Sequence, residues 1–376
     1  MLADNQYYRV GVRGGAGVAD LSALVTAVEV EEDEARPSRC ALRLSDPFVA
    51  LAAALPEGVA VEVELGTAVA HMAVFRGRVH RVEEMFAPGR IAELTLYADD
   101  ARMRLGLRPR SRLWSDVTLT ELVARIARDH GLGVLAADVT ADVRFGGPGI
   151  RQQDETDLAF VLRIAAEHAC LLTLLLGPQD ERLGLVAEAR LGLDPPVTTL
   201  VLAGDGGLLV TGFQARCDIA QVRLPVEQGA MDGEQARFVQ VREPAPAAVA
   251  APARVDTGWV TLLRHSPEQA TLVEQMLPEA PGAAGQLLAD LGVDDVAAAE
   301  PFAPADALTS RVRNRSARFC GGMRASGSTV GEPRLRPLTT VNVEGAGARF
   351  SGIWLVSRVR HVMDSAGYRT EFVLRR

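Results

Sequence analysis

Along the first hundred residues apolar and polar positions alternate in short runs. Tyr7 to Val12, Leu24 to Val30, Cys40 to Leu44, Val59 to Leu65, Ala73 to Val82 and Ile91 to Tyr97 each repeat with period two between Gly, Pro, Asp or Asn breaks. Six closely spaced strands predict a barrel or sandwich. The period changes near residue 110. Thr118-Leu119-Thr120-Glu121 is a capping box; Leu119, Leu122, Val123, Ile126 and Ala127 follow at helical spacing, and Gly131 closes the helix. A second helix starts after Thr156, with Leu158, Val161, Leu162 and Ala165 expected on its apolar side. Strands at Leu171 to Leu176, Leu183 to Leu185 and Thr198 to Leu202 are expected to complete a small α/β unit.

Alternation returns from Gly207 to Leu224, placing Leu209, Thr211, Phe213, Ala215 and Cys217 on one face. Val241 to Ala253 is a Pro/Ala-rich connector without apolar period. Helical signals follow at Pro267 to Met276, Ala284 to Leu291 and Ala305 to about Arg324, so residues 233–303 read as an insertion. The end is β again: Thr339 to Val343, Phe350 to His361 and Tyr368 to Leu374, separated by Glu344-Gly345-Ala346-Gly347 and Asp364-Ser365-Ala366-Gly367. This meander needs partner strands, and the nearest lie before the insertion.

Composition narrows the classes. The chain has 376 residues and is 48% hydrophobic, enough for a large core. All 40 basic residues are Arg, a signature of GC-rich coding, and the formal net charge is -8. That balance argues against a phosphate-binding surface, so no specific nucleic-acid partner is expected. No basic region followed by an apolar run opens the chain, and no uncharged stretch reaches the ~18 residues of a membrane span. Synthesis in the cytoplasm and no membrane insertion are expected.

Candidate chemistry is sparse. Cys40, Cys170, Cys217 and Cys320 are scattered without the close pairs that zinc sites use, so no metal and no cofactor are expected. Nucleophile-elbow, zinc-protease and Walker patterns are missing, and Gly14-Gly15-Ala16-Gly17 lacks dinucleotide-loop spacing. No catalytic residue is assigned. Asp154, Glu155 and Asp157 cluster before a helix, where carboxylates cap amides and oppose the dipole; general acid/base work is the alternative. His361 lacks a visible partner in the sequence. Glu31, Glu32, Asp33 and Glu34 read as a solvated hairpin tip.

A family pattern runs through these segments. Gln152, Glu155, Thr156, Asp157, Phe160 and Arg163 match Q-x-x-[EQ]-[ST]-D-x-x-F-x-x-R, Val74 to Val79 with Phe75 and Gly77 matches L-F-x-G-x-[IV], and Leu113 to Gly131 matches a helix-entry motif. The ending is carried by Pro333, Leu335, Arg336, Pro337, Val341, Val343, Gly345, Phe350, Ser351, Gly352, Trp354, Val356, Val359, His361, Gly367, Tyr368 and Thr370. The sequence thereby resembles the phage late control D and VgrG-like baseplate hubs of contractile tails and contractile injection systems. Two positions depart from the pattern: Leu338 replaces the usual Gly after Pro337, so its turn must avoid positive φ or tolerate strain, and Ala169 replaces a helix-ending Gly, which puts the left-handed cap in question.

The resemblance implies an α+β, mainly β fold with two tube-protein-like β-barrels. The first barrel would be 1–108 and the second, split one would be 201–232 with 304–376. A small α/β domain would span 109–200, and 233–303 would be an inserted helical or irregular segment. It implies a structural, non-enzymatic homotrimer whose pseudo-six-fold ring joins the inner tube, or a tube-initiator protein, to a central spike, with baseplate wedge components as neighbours. Because the sequence stops soon after its last strand, the spike is expected on a separate chain. The protein would reside in a phage tail or extracellular injection particle. Of the motif residues, Phe75, Gly77, Gln152, Asp157, Phe160, Arg163, Gly345, Gly352, Trp354, His361 and Tyr368 are expected to matter structurally. The alternative is an envelope-binding or cell-wall-degrading tail protein that uses the insertion, where Trp259 is the one aromatic platform.

Overall fold

The computed structural model describes residues 6–14, 17–137, 144–146, 149–177, 181–191, 194–202, 207–217, 226–232, 237–243, 295–300, 308–309, 312 and 322–376. The N-terminal strands are β1 (Gln6–Gly14), β2 (Gly17–Asp20), β3 (Val25–Asp33), β4 (Arg39–Asp46), β5 (Ala60–Thr67), β6 (His71–Met85) and β7 (Ala92–Asp99). They pair in the order β2-β1-β5-β6-β7-β4-β3 and curl around Val10, Val28, Leu42, Val63, Phe75 and Leu96, all essentially inaccessible. Period-two alternation produces this directly: along β7, Ala92, Leu94, Leu96 and Ala98 point in and the residues between them point out. The sheet is drawn shut where the Leu21 amide donates to Val10 O and the Val10 amide to Ser22 Oγ.

A middle unit follows: β8 (Pro109–Trp114), β9 (Val117–Thr118), α1 (Leu119–Asp129), β10 (Gly133–Ala137), β11 (Arg144–Phe145), β12 (Ile150–Thr156), α2 (Asp157–Glu167), β13 (Cys170–Leu176) and β14 (Glu181–Ala187). The capping box forms in full, with the Thr118 hydroxyl accepting from the Glu121 amide and the Glu121 carboxylate accepting from the Thr118 amide. On α2 the buried face is Phe160, Val161, Ile164 and Ala165; Leu158 and Leu162, expected there, are only partly covered. The helices pack on a three-stranded sheet ordered β10-β14-β13.

The remaining strands are β15 (Thr198–Val201), β16 (Leu208–Cys217), β17 (Val226–Asp232), β18 (Arg237–Glu243), β19 (Asp295–Glu300), β20 (Met323–Val330), β21 (Thr340–Glu344), β22 (Gly352–Asp364) and β23 (Gly367–Arg375). Six of them close a barrel in the order β22-β21-β15-β16-β20-β23, with β23 returning to β22. Its core holds Leu200, Val341, Trp354, Val359, Phe372 and Leu374. Thr198–Val201 therefore pairs into this barrel rather than the α/β unit, because β15 aligns in parallel with β21. Val226–Asp232, read with the barrel, pairs instead with β18 and β19. Met323 and Arg324, read as the end of a helix, instead open the strand Met323–Val330, whose two edges are satisfied by β16 and β23. The helical readings at Pro267 to Met276 and Ala284 to Leu291, and most of Ala305 to Arg324, lie outside the described residues.

A bulge between Val210 and Gly212 flips the phase of β16, so Phe213 and Ala215 pack toward the core while Leu209 and Thr211 are exposed. Strict alternation could not show this.

The two barrels share one plan. In the first, neighbours run β1-β5-β6-β7-β4-β3; in the second they run β15-β21-β22-β23-β20-β16. The irregularities coincide as well. β6 is bulged between Val79 and Arg81, β22 between Val356 and Arg358, β3 between Val25 and Ala27, and β16 between Val210 and Gly212. The Val79 carbonyl accepts from Gly58 and its amide donates to Val59 O; the Val356 carbonyl accepts from Leu338 and its amide donates to Thr339 O. Gly58 (φ 92) and Leu338 (φ 68) thus occupy equivalent left-handed positions. Leu338 tolerates the strain, of the order of 1–2 kcal/mol, while packing with Leu191 and Leu355. Ala169 is likewise left-handed, at φ 50, so the cap is kept without a glycine.

Candidate functional site

Two constellations gather the singled-out residues. The first lies where β12 enters α2. A register shift between Gln152 and Glu155, with Asp154 at φ 48, lets the buried Gln152 side chain reach Asp157 Oδ1 at 2.8 Å and Glu155 O at 3.0 Å. The other Asp157 oxygen faces His130 Nε2 at 2.8 Å and the Arg110 guanidinium at 3.4 Å. Asp157 is 1% exposed, so this carboxylate ties β8, β12, α1 and α2 together; Thr156, not Asp157, caps the helix by accepting from the Ala159 amide. Glu155 and Arg163 form a two-bonded pair with both distances 2.8 Å, which lowers the Glu155 carboxyl below its usual range and raises the guanidinium. The Arg163 guanidinium also lies over Phe160, whose ring stacks with Trp114.

The second constellation is the seam between barrels. β3 of the first pairs antiparallel with β22 of the second, from Asp33 opposite Arg358 to Val28 opposite Met363. The acidic run read as a solvated hairpin tip is the end of this paired strand. Its charges are needed because the facing strands carry arginines: Glu29 pairs with Arg360 at 2.7 Å, Glu31 with Arg358, and Glu34 with Arg375 at 3.0 Å. On the inner side Glu32, 5% exposed, accepts twice from Arg336, at 3.0 and 2.6 Å. The Arg336 guanidinium also reaches Val74 O on β6, locking the 331–339 segment across the seam.

His361 sits behind that pair, fully buried, with Nδ1 3.0 Å from the Tyr368 hydroxyl and 3.1 Å from Thr370 Oγ1, and Nε2 3.8 Å from Glu32 Oε1. Burial first, then the positive Arg336, pushes its pKa down to about 3, so the ring is neutral at ordinary pH. Burial pushes the Tyr368 phenol up. Met363 and Tyr368, from the second barrel's strands, complete the first barrel's core. The seam is therefore a shared core edged with ion pairs.

The other candidate positions are separate from both clusters. Phe75 fills the first barrel, and Gly77 lies where a Cβ would overlap the Asp99 carbonyl and the Phe75 ring. Trp354 fills the second barrel and donates from Nε1 to Phe350 O at 2.8 Å. Phe350 ends a short helical turn, Gly347–Phe350, so β22 begins at Gly352. Gly345 (φ 82) and Gly352 (φ 116) turn the chain on either side of it. Glu29, Arg358, Arg360 and Arg375 carry no assignment from the sequence, and Glu32 is expected there to be solvated. A usable signal was present: acids at every second position of one strand and arginines at every second position of another, which is cross-strand charge complementarity.

Two barrels of one plan, fused through a common sheet, define a mainly β protein held together at the seam by packing and ion pairs. The chain belongs to the phage tail baseplate hub (GPD) family, whose model matches residues 34–367. No curated protein sequence matches it. Among solved structures it is similar to the 43 kDa tail protein of prophage MuSo2 from Shewanella oneidensis, with TM-score 0.62, 13% identity and 98% of each chain covered. A tail protein from Neisseria meningitidis MC58 gives TM-score 0.60 at 14% identity, covering 98% of this chain and 96% of that one. The Escherichia coli c3393 protein, a component of the type VI secretion system, gives 0.55 at 12%, covering 93% and 73%. At these identities the likeness is one of fold.

Proposed function

We propose that three copies of this chain form a ring of six barrels that joins a six-fold inner tube to a three-fold central spike in a contractile tail or injection system. The observation that carries this is the repeated plan: each chain supplies two equivalent barrels side by side, so a trimer offers six-fold geometry on the barrels and three-fold geometry on everything else. Among the described residues the middle α/β unit and the β17–β19 sheet occur once per chain and would mark the three-fold side. Tube or tube-initiator protein, spike and wedge components are the partners on this reading, and the assembled particle is its location.

The wall of such a ring is supported by the strip β6-β7-β4-β3-β22-β23-β20-β16, antiparallel at every step. Its solvent face around the seam carries Glu29, Glu31, Arg358, Arg360 and Glu371 in mutual pairs, plus Ser326 and Ser328. Mixed, self-neutralised charge makes a wet wall that holds neither acidic nor basic cargo. Native mass measurement of the purified chain tests the reading. A trimer is expected; a monomer at micromolar concentration that does not assemble on adding tube or spike protein overturns it.

A further inference from the structure

The seam within the chain has an unfilled counterpart. The C-terminal half of β22 is covered by β3, but the equivalent half of β6, Arg81–Met85, pairs only with β7 and leaves its other edge open among the described residues. Likewise β3 is covered by β22, whereas its equivalent β16 pairs with β20 over 210–217 and, among the described residues, has no strand on the other side beyond Leu209. Superposing the bulges puts Arg81 on Arg358, Glu83 on Arg360, Met85 on Val362 and Phe86 on Met363, and puts Phe213 on Val28 and Arg216 on Glu31. Exposure shows the missing cover: Val362 and Met363 are 5% and 1% exposed, while Met85 and Phe86 are 60% and 64% exposed.

We propose that β16 of one chain adds to the open edge of β6 in a second copy, in the register of β3 on β22, so that Glu83 lies opposite Arg216 and Phe86 opposite Phe213. This rests on the ring reading and gives that ring its chain-to-chain joint. Charge is compatible with the pairing. Within the chain Arg360 stands opposite Glu31, and the two bond diagonally to Glu29 and Arg358; between chains the equivalent opposed positions are Glu83 and Arg216, again of opposite sign. Arg216 is exposed and open to such a partner: its cross-strand neighbour is Arg324, and neither has a carboxylate partner among the described residues. Glu83 pairs with Arg81, which lies over the Tyr97 ring at 3.8 Å, and accepts from the Tyr97 hydroxyl at 3.1 Å, yet its side chain stays 53% exposed and reachable from the open edge. The joint is head-to-tail, so repeated it generates a closed ring or a filament. Open strand edges flanked by apolar residues are hazards that such a neighbour removes.

The test is a charge-swap cycle read by native mass and sedimentation. Glu83→Arg and Arg216→Glu singly are expected to weaken each joint about fivefold and, with three joints changed together, the trimer's association constant about a hundredfold. The double swap is expected to restore it to within a few-fold. Circular dichroism of the monomers guards against misfolding, and a second variant avoids charge altogether. The Glu34 amide donates to Ser357 O at 3.1 Å, which makes Arg360 and Glu31 a close, non-hydrogen-bonded pair. The equivalent Glu83→Cys, Arg216→Cys double variant is therefore expected to give a covalent ladder ending at trimer under mild oxidation, with neither single variant doing so. A wild type that stays monomeric sinks the ring reading itself. A trimeric wild type with additive charge effects and no ladder sinks only this joint.

Discussion

Replacing Arg336 by Met tests whether the seam depends on its buried charge or its area. In the native protein Glu32 is 5% exposed and its Oε2 receives both Arg336 bonds, while the arginine side chain is 21% exposed. Met retains most of the aliphatic stem but leaves a carboxylate in the shared core without its cation. Breaking a buried pair costs about 3–5 kcal/mol, and partial exposure of Arg336 lowers the expectation to about 3. Glu32→Gln in the same chain removes the stranded charge and is expected to recover about 2 kcal/mol. By contrast, Arg360→Met, which removes the half-exposed pairs with Glu29 and Glu371, is expected to cost about 1 kcal/mol, because solvent screens both. Arg336 also helps to hold His361 neutral, so its loss lets the imidazole charge beside Glu32 and makes the defect smaller at pH 5 than at pH 8. Urea unfolding followed by tryptophan fluorescence and circular dichroism measures each step. If Arg336→Met costs no more than Arg360→Met, or if Glu32→Gln adds to the damage, the assignment of the seam to a buried charge pair is wrong.

Other outcomes follow from the same geometry. The His361 pKa is lowered from about 6.5 in the unfolded chain to about 3, so its contribution is present above pH 6.5 and is lost as pH falls toward 3, at about 1.4 kcal/mol per pH unit. His361→Gln should flatten the stability difference between pH 6.5 and pH 5 by about 2 kcal/mol relative to wild type, and an unchanged slope would contradict the buried neutral ring. Gly77→Ala should cost about 3 kcal/mol in thermal or urea unfolding, since its Cβ meets backbone that cannot move aside; a loss under 1 kcal/mol would show that it can. Ala169→Gly should stabilise by about 0.5 kcal/mol through relief of left-handed strain, whereas Leu338→Gly should destabilise by about 1–2 because lost packing outweighs the same relief. Equal signs for these two would refute the separation of strain from burial.

Much of this could be read from residue order. Alternation located the strands that fill the first barrel, and the capping box located α1 to the residue, because hydrogen-bond capping and burial of one face are local constraints. The Gln152 to Arg163 motif marked a real knot, although its central role belongs to Asp157 held by Gln152, His130 and Arg110 rather than to a helix dipole. The reading failed where a single inserted residue reset the phase, as at Val210 to Gly212, and where strands distant in sequence decided which sheet a segment joined, as for β15 and β17.

The sequence by itself determined the secondary-structure periods, the family and the mainly β class, since each depends on neighbours a few residues apart or on motif order along the chain. Only the tertiary structure decided what the acidic run at Glu31 to Glu34 is for. Those carboxylates are 304 to 341 residues from the arginines they meet in pairs such as Glu32 with Arg336 and Glu34 with Arg375. Alone, such a run is best solvated in water; opposite arginines on a facing strand it becomes one side of a seam. Which of these holds depends on the closure of a second barrel around Trp354, and no local pattern encodes that.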